Sequence, residues 1–103
     1  MNKKTVFTFL SIILVSSNMA LAGDIASGKG LSIKCMGCHG ANGISTNPTA
    51  PHLAGKDIAY LADKLNAYRD GRLPNPLMKS MVSGLSDADV DNLASYYNSL
   101  VGE

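Results

Sequence analysis

Hydrophobic and polar positions divide the chain into segments of different character. Residues 6–15 are a nearly unbroken apolar stretch. After it, Ile25, Gly28 and Leu31, with Ser32 beside them, recur at helical spacing behind Asp24, a good N-cap, and predict a short first helix that runs up to two cysteines. Residues 40–55 are dense in Gly, Pro, Asn, Ser and Thr and predict a long loop. Structureless loops beyond about 12–15 residues are uncommon in compact domains unless they serve a purpose, so this one is expected to wrap something. Ile58, Leu61, Leu65 and Tyr68 then fall at i, i+3, i+7 and i+10, with Asp57 to cap the start and Gly71 to stop the end, which predicts a second helix. Pro74, Pro76 and Gly84 mark residues 72–84 as a second loop, holding Met78 and Met81. The last segment opens on Ser86-Asp87-Ala88-Asp89, a capping-box-like start, and Val90, Leu93, Ala94, Tyr97, Leu100 and Val101 mark one helical face. No segment alternates with period two over a useful length, so the expected fold is all-α, with three to four short helices and long loops.

The apolar stretch near the start has its own explanation. Lys3 and Lys4 precede it, and Ala20-Leu21-Ala22 follows with the small-x-small form of a signal-peptidase site, so residues 1–22 read as a secretory signal. The alternative is an uncleaved anchor, but Ser11, Ser16, Ser17 and Asn18 interrupt the roughly 20 apolar residues a spanning helix needs. Cleavage leaves residues 23–103 as one domain of 81 residues without a membrane span. Its charge is nearly balanced, with seven basic and eight acidic side chains, which gives no electrostatic footprint for nucleic acid. The length excludes a multidomain enzyme.

Composition adds a problem of stability. Phe7 and Phe9 lie in the leader, so residues 23–103 contain neither Phe nor Trp, and their only aromatics are Tyr60, Tyr68, Tyr96 and Tyr97. A chain of about 80 residues commonly needs a disulfide, a metal or a cofactor as a staple. Only two cysteines are present, Cys35 and Cys38, and a bridge between them would close too small a loop to constrain the unfolded chain.

Those cysteines belong to Cys35-Met36-Gly37-Cys38-His39, a C-x-x-C-H sequence and the attachment signature of c-type haem. Two thiols three positions apart lie on one helical turn, so each can add to a haem vinyl group while the next residue turns its imidazole toward the iron. A thioredoxin-like dithiol would sit beside a βαβ pattern, which is missing here, and a zinc site would need a second ligand pair, whereas His52 is the only other histidine. The missing core is then one covalently bound haem c. For the sixth position on the iron, Met78 and Met81 compete, while Met36 lies on the His39 side and cannot reach across the plane.

On these residues the chain resembles the small bacterial mono-haem class I cytochromes c, the short type whose fold also forms each half of the periplasmic di-haem cytochromes. The resemblance covers essentially all of residues 23–103. It aligns Pro51-His52-Leu53 with a Pro-x-Leu whose prolyl carbonyl accepts a hydrogen bond from the ligand imidazole, which implies that Pro51 holds His39 and Leu53 packs on the haem. It aligns residues 78–87 with a Met-x-x-Met-x-x-x-Leu-Ser-Asp segment whose first methionine is the axial ligand, which implies Met78. Met81 is then a packing residue and His52 a surface residue. The resemblance also implies crossed first and last helices, expected here as Gly28 and Leu31 against Leu93 and Tyr97.

With both axial positions filled, no place is left for a substrate. The expectation is a periplasmic electron-transfer protein of a respiratory chain and not an enzyme, docking transiently with redox proteins: a membrane or periplasmic donor, and a terminal oxidase or reductase. Lys34 and Lys79, next to Cys35 and Met78 in sequence, are the candidate steering charges. A peroxide-reducing site, a gas sensor and the haem subunit of a larger dehydrogenase are the competing readings. Tyr60 or Tyr96, if exposed, is open to a dimer contact.

Overall fold

The computed structural model describes residues 23–102, so the leader assigned to residues 1–22 lies outside the described residues. Among the described residues five α-helices follow one another: α1 (Ile25–Leu31), α2 (Met36–His39), α3 (Ile58–Asp70), α4 (Pro76–Val82) and α5 (Asp87–Ser99), with a 3-10 turn at Ser32–Cys35 between the first two. Among the described residues there is no strand, in keeping with the all-α expectation. Nor is any helix among them long and apolar enough to cross a membrane.

The caps read from the sequence are in place. Asp24 accepts from the Ala26 N–H, Asp57 from the Tyr60 N–H, and Ser86 with Asp89 closes a reciprocal capping box at the start of α5. Gly71 ends α3 in the left-handed region at φ 85°. Residues 72–84 correct the expectation of a loop, because seven of them form α4. Pro76 stands in the first turn, where its missing N–H is not needed, and the Asn75 side chain caps the Met78 N–H at 3.0 Å. A proline read as a breaker is here a starter.

The first and last helices cross as the resemblance implied, with a different partner for Gly28. A Cβ built on Gly28 would collide with the Asn92 carbonyl and the Tyr96 Cβ, so Gly28 meets Asn92 and Tyr96, while Leu31 packs against the buried cluster that holds Leu93 and Tyr97. The Gly23 N–H donates to Ser95 Oγ at 2.9 Å and the Asp24 N–H to Asn92 Oδ1 at 2.7 Å, fixing the crossing from the other end of the helix. Helix α5 is thus buried on two sides, and Ser95 and Tyr96 are core residues that a single-stripe reading left out. Tyr96 is therefore not available for a dimer contact, whereas Tyr60 is half exposed. Val101, assigned to the α5 face, lies beyond the helix and is exposed, because α5 ends at Ser99.

Candidate functional site

The freed face of α5 looks onto a cavity of about 320 Å³. Leu93, Ala94 and Tyr97 of α5, Leu61, Leu65 and Tyr68 of α3, and Met78, Met81 and Val82 of α4 line it together with Leu53 and Leu85. Cys35, Cys38 and His39 form part of the same wall. Every residue expected at the site, Cys35, Cys38, His39, Pro51, Leu53 and Met78, therefore faces one space. Met81 lies there too, but Met78 is the methionine packed against the buried cluster of Leu61, Val82, Leu85 and Leu93.

The C-x-x-C-H segment reaches that wall in two steps. The 3-10 turn carries Cys35 to the start of α2, and α2 ends at His39 because Gly40 takes φ 89°. His39 is 7% exposed, so its orientation is set by the protein and not by water. Its Nδ1 donates to the Pro51 carbonyl oxygen at 2.9 Å, which leaves Nε2 as the lone-pair nitrogen.

The long loop holds that carbonyl in place. The Gly43 carbonyl accepts from both the Leu53 and Ala54 N–H groups at 2.8 and 3.0 Å, drawing the two ends of the loop together. Gly43 has φ 74°, and a Cβ there would press on Ala54 and the Tyr97 ring, so glycine is required for this close approach. Ser45 adds two ties: its Oγ donates to the Cys38 carbonyl at 2.9 Å, and its N–H donates to His52 Nδ1 at 2.9 Å. His52 is exposed and is not part of the cavity wall, as expected for a surface residue. The ties of Ser45 were illegible in the sequence, since nothing distinguishes it from the other polar loop residues.

The two thiols differ. Cys38 is exposed, whereas burial pushes the Cys35 thiol up from its ordinary pKa. The Tyr97 hydroxyl is buried, and among the described residues it is a side-chain polar atom without a hydrogen-bond partner, a defect worth about 1–3 kcal/mol. Burial first, and the neighbouring Cys35 second, raise its pKa above the usual phenol range.

An apolar cavity in a small domain, with two thiols, an imidazole fixed by its Nδ1 hydrogen bond and two thioethers on its walls, fits a flat apolar iron complex attached through sulfur. Tetrahedral zinc is a poor match, because among the described residues no three His, Cys, Asp or Glu side chains converge. Fold and site together define a helical haem protein with covalent attachment.

Comparison with known proteins gives the same class. The model of the cytochrome c family matches residues 25–100, and the chain belongs to that family. Cytochrome c-554(548) of Halomonas halodenitrificans is 41% identical over 81 residues, which cover 76% of this chain and 98% of that protein. The thiosulfate dehydrogenase electron acceptor of Thiomonas intermedia is 47% identical over 68 residues, covering 64% of this chain and 31% of that one. Among solved structures, cytochrome c4 of Acidithiobacillus ferrooxidans superposes with a TM-score of 0.72 at 27% identity, over 77% of this chain and 51% of that chain. This chain thus matches nearly all of the Halomonas protein and about half, or less, of the other two. Membership brings covalently bound haem c, carried by Cys35 and Cys38 with His39 nearby, and a role in electron transfer.

Proposed function

We propose that residues 1–22 direct export and that residues 23–103 act in the periplasm as a one-electron carrier without enzymatic activity of their own. His39 and Met78 would hold the haem iron, and Pro51 and Leu53 would complete the pocket. The hydrogen bond from His39 Nδ1 to the Pro51 carbonyl at 2.9 Å carries this reading, because it leaves Nε2 free for iron at a wall of the cavity that Met78 also enters. Packing of Met78 on the buried cluster supports it over Met81, since a ligand is best held by a side chain that is already immobile. The bound haem supplies reversible exchange of one electron between Fe(II) and Fe(III). The chain's own part is to hold the imidazole in one tautomer, present a thioether, which favours a higher potential than a second imidazole, and keep water from the apolar wall.

The relative named as the electron acceptor of a thiosulfate dehydrogenase supports an oxidoreductase as the donor class here. Co-purification with a stoichiometric partner would make the chain a subunit and not a free carrier.

The test is the absorption spectrum of the exported protein, oxidised and reduced, beside Met78→Ala and Met81→Ala. The oxidised wild type is expected to show a far-red methionine-to-iron charge-transfer band that Met78→Ala abolishes and Met81→Ala keeps. Immediate binding of CO by the reduced wild type would overturn the closed site and favour a sensor or an enzyme.

A further inference from the structure

Tyr97 is a cavity-wall residue to which neither attachment nor iron ligation gives a task. It is only 4% exposed, and among the described residues its hydroxyl has no hydrogen-bond partner. The residue cannot easily swing away. Its carbonyl is tied to the Gly55 N–H at 2.9 Å, and its ring leans on that of Tyr96 with centroids 5.2 Å apart. Buried hydroxyls are rarely left unpaired, so an acceptor is expected within reach.

Two polar side chains lie near enough to influence this hydroxyl, those of Cys35 and Ser32, and Cys35 packs against the buried cluster that holds Tyr97. Ser32 donates its proton to the Lys29 carbonyl at 2.7 Å, which leaves its oxygen able only to accept, but it is fully buried away from the cavity wall. The Cys35 sulfur shares that wall with Tyr97. As a free thiol it can act as donor or acceptor, so it competes with the phenol over direction. Once the sulfur is bonded to a second carbon it has lone pairs alone to offer, and the phenol O–H meets a permanent acceptor.

We propose that Tyr97 is a positioning residue for electron transfer: in the haem-loaded protein its hydroxyl donates to the Cys35 sulfur, pins that thioether against α5 and draws electron density from it. This rests on the proposed covalent, closed site. A donor aimed at the attached sulfur favours the electron-richer reduced state, so it raises the reduction potential.

The experiment compares holoprotein of the wild type, Tyr97→Phe and Ser32→Ala. Spectra first establish thioether-bound haem with methionine ligation in the wild type; their failure would defeat the functional reading and not this inference alone. Tyr97→Phe keeps the ring and is expected to lower the potential, by roughly a two- to tenfold change in the reduced-to-oxidised ratio, the range of one hydrogen bond. Ser32→Ala is expected to leave the potential unchanged. In the proton NMR spectrum of the reduced wild type, a slowly exchanging phenolic proton with cross-peaks to the Cys35 β-protons is expected. Equal potentials for wild type and Tyr97→Phe, equal shifts in both variants, or a phenolic proton that contacts Ser32 alone would overturn the proposal. The wild-type NMR result decides if Tyr97→Phe does not mature.

Discussion

Single side chains in the long loop set the geometry of the proposed iron ligand without touching the cavity themselves. Ser45 shows how. Its hydroxyl donates to the Cys38 carbonyl and accepts from the Asn47 N–H at 3.0 Å, while its own N–H donates to His52, the neighbour of Pro51. One residue thus joins the end of the C-x-x-C-H segment to the strand of loop that carries the Pro51 carbonyl. Replacing Ser45 with Ala is expected to remove two hydrogen bonds and lower stability by about 1–2 kcal/mol. The backbone bond to His52 would remain, so the methionine band should survive at room temperature and disappear at a lower temperature than in the wild type. Thermal melting followed at that band and by far-ultraviolet circular dichroism checks it; an unchanged melting temperature would show that the loop does not depend on Ser45.

At the scale of elements, the crossing of α1 and α5 depends on what Gly28 lacks. A methyl group there would run into backbone, the Asn92 carbonyl, and not into a flexible side-chain end, so the helices would have to separate. Gly28→Ala is expected to destabilise the holoprotein by about 1–3 kcal/mol, as overpacking does, despite the better helix propensity of alanine. A chemical-denaturation midpoint at or above that of the wild type would refute this. The same two helices show what the sequence could and could not reveal. Apolar spacing and caps were enough for α1, α3 and α5, because Asp24, Asp57, Gly71 and Ser86 mark their ends by local chemistry. The partner of Gly28 was not legible, since α5 turns a second face toward α1 through Asn92, Ser95 and Tyr96, which looks polar or amphipathic in a one-dimensional pattern. Helix α4 was hidden because Pro74 and Pro76 resemble loop punctuation until Asn75 is seen to cap the turn that Pro76 starts. The residues of the site fared better. C-x-x-C-H carries its chemistry in its spacing, but Tyr97 comes to share a cavity wall with Cys35 only through the tertiary fold.

For the whole molecule, the question is how a nearly neutral domain would find its redox partners. Residues 23–103 hold seven basic and eight acidic side chains, so any steering must come from local arrangement and not net charge. Acidic groups gather at the start of α5 in Asp87, Asp89 and Asp91, where Asp89 serves the capping box and Asp87 pairs with Arg69 at 2.5 Å. Lys34, by contrast, is exposed on the rim of the cavity, and the exposed hydrophobic side chains Ile33 and Leu77 stand beside Lys34 and Met78 in the chain. Lys79 is also exposed, next in sequence to Met78. A weak interface with an apolar centre and a few basic groups at its edge suits a complex that must form and part quickly. Reversing both charges, Lys34→Glu with Lys79→Glu, is expected to slow second-order electron transfer with an acidic partner about tenfold or more at low ionic strength. Adding salt should shrink the difference, because exposed charges are screened over about 10 Å at 0.1 M. Neither residue belongs to the proposed ligand set, so the spectrum and potential should stay close to those of the wild type. Stopped-flow rates measured across ionic strength decide the matter: parallel salt dependences for wild type and variant would make both lysines ordinary solvated side chains and move the docking face elsewhere.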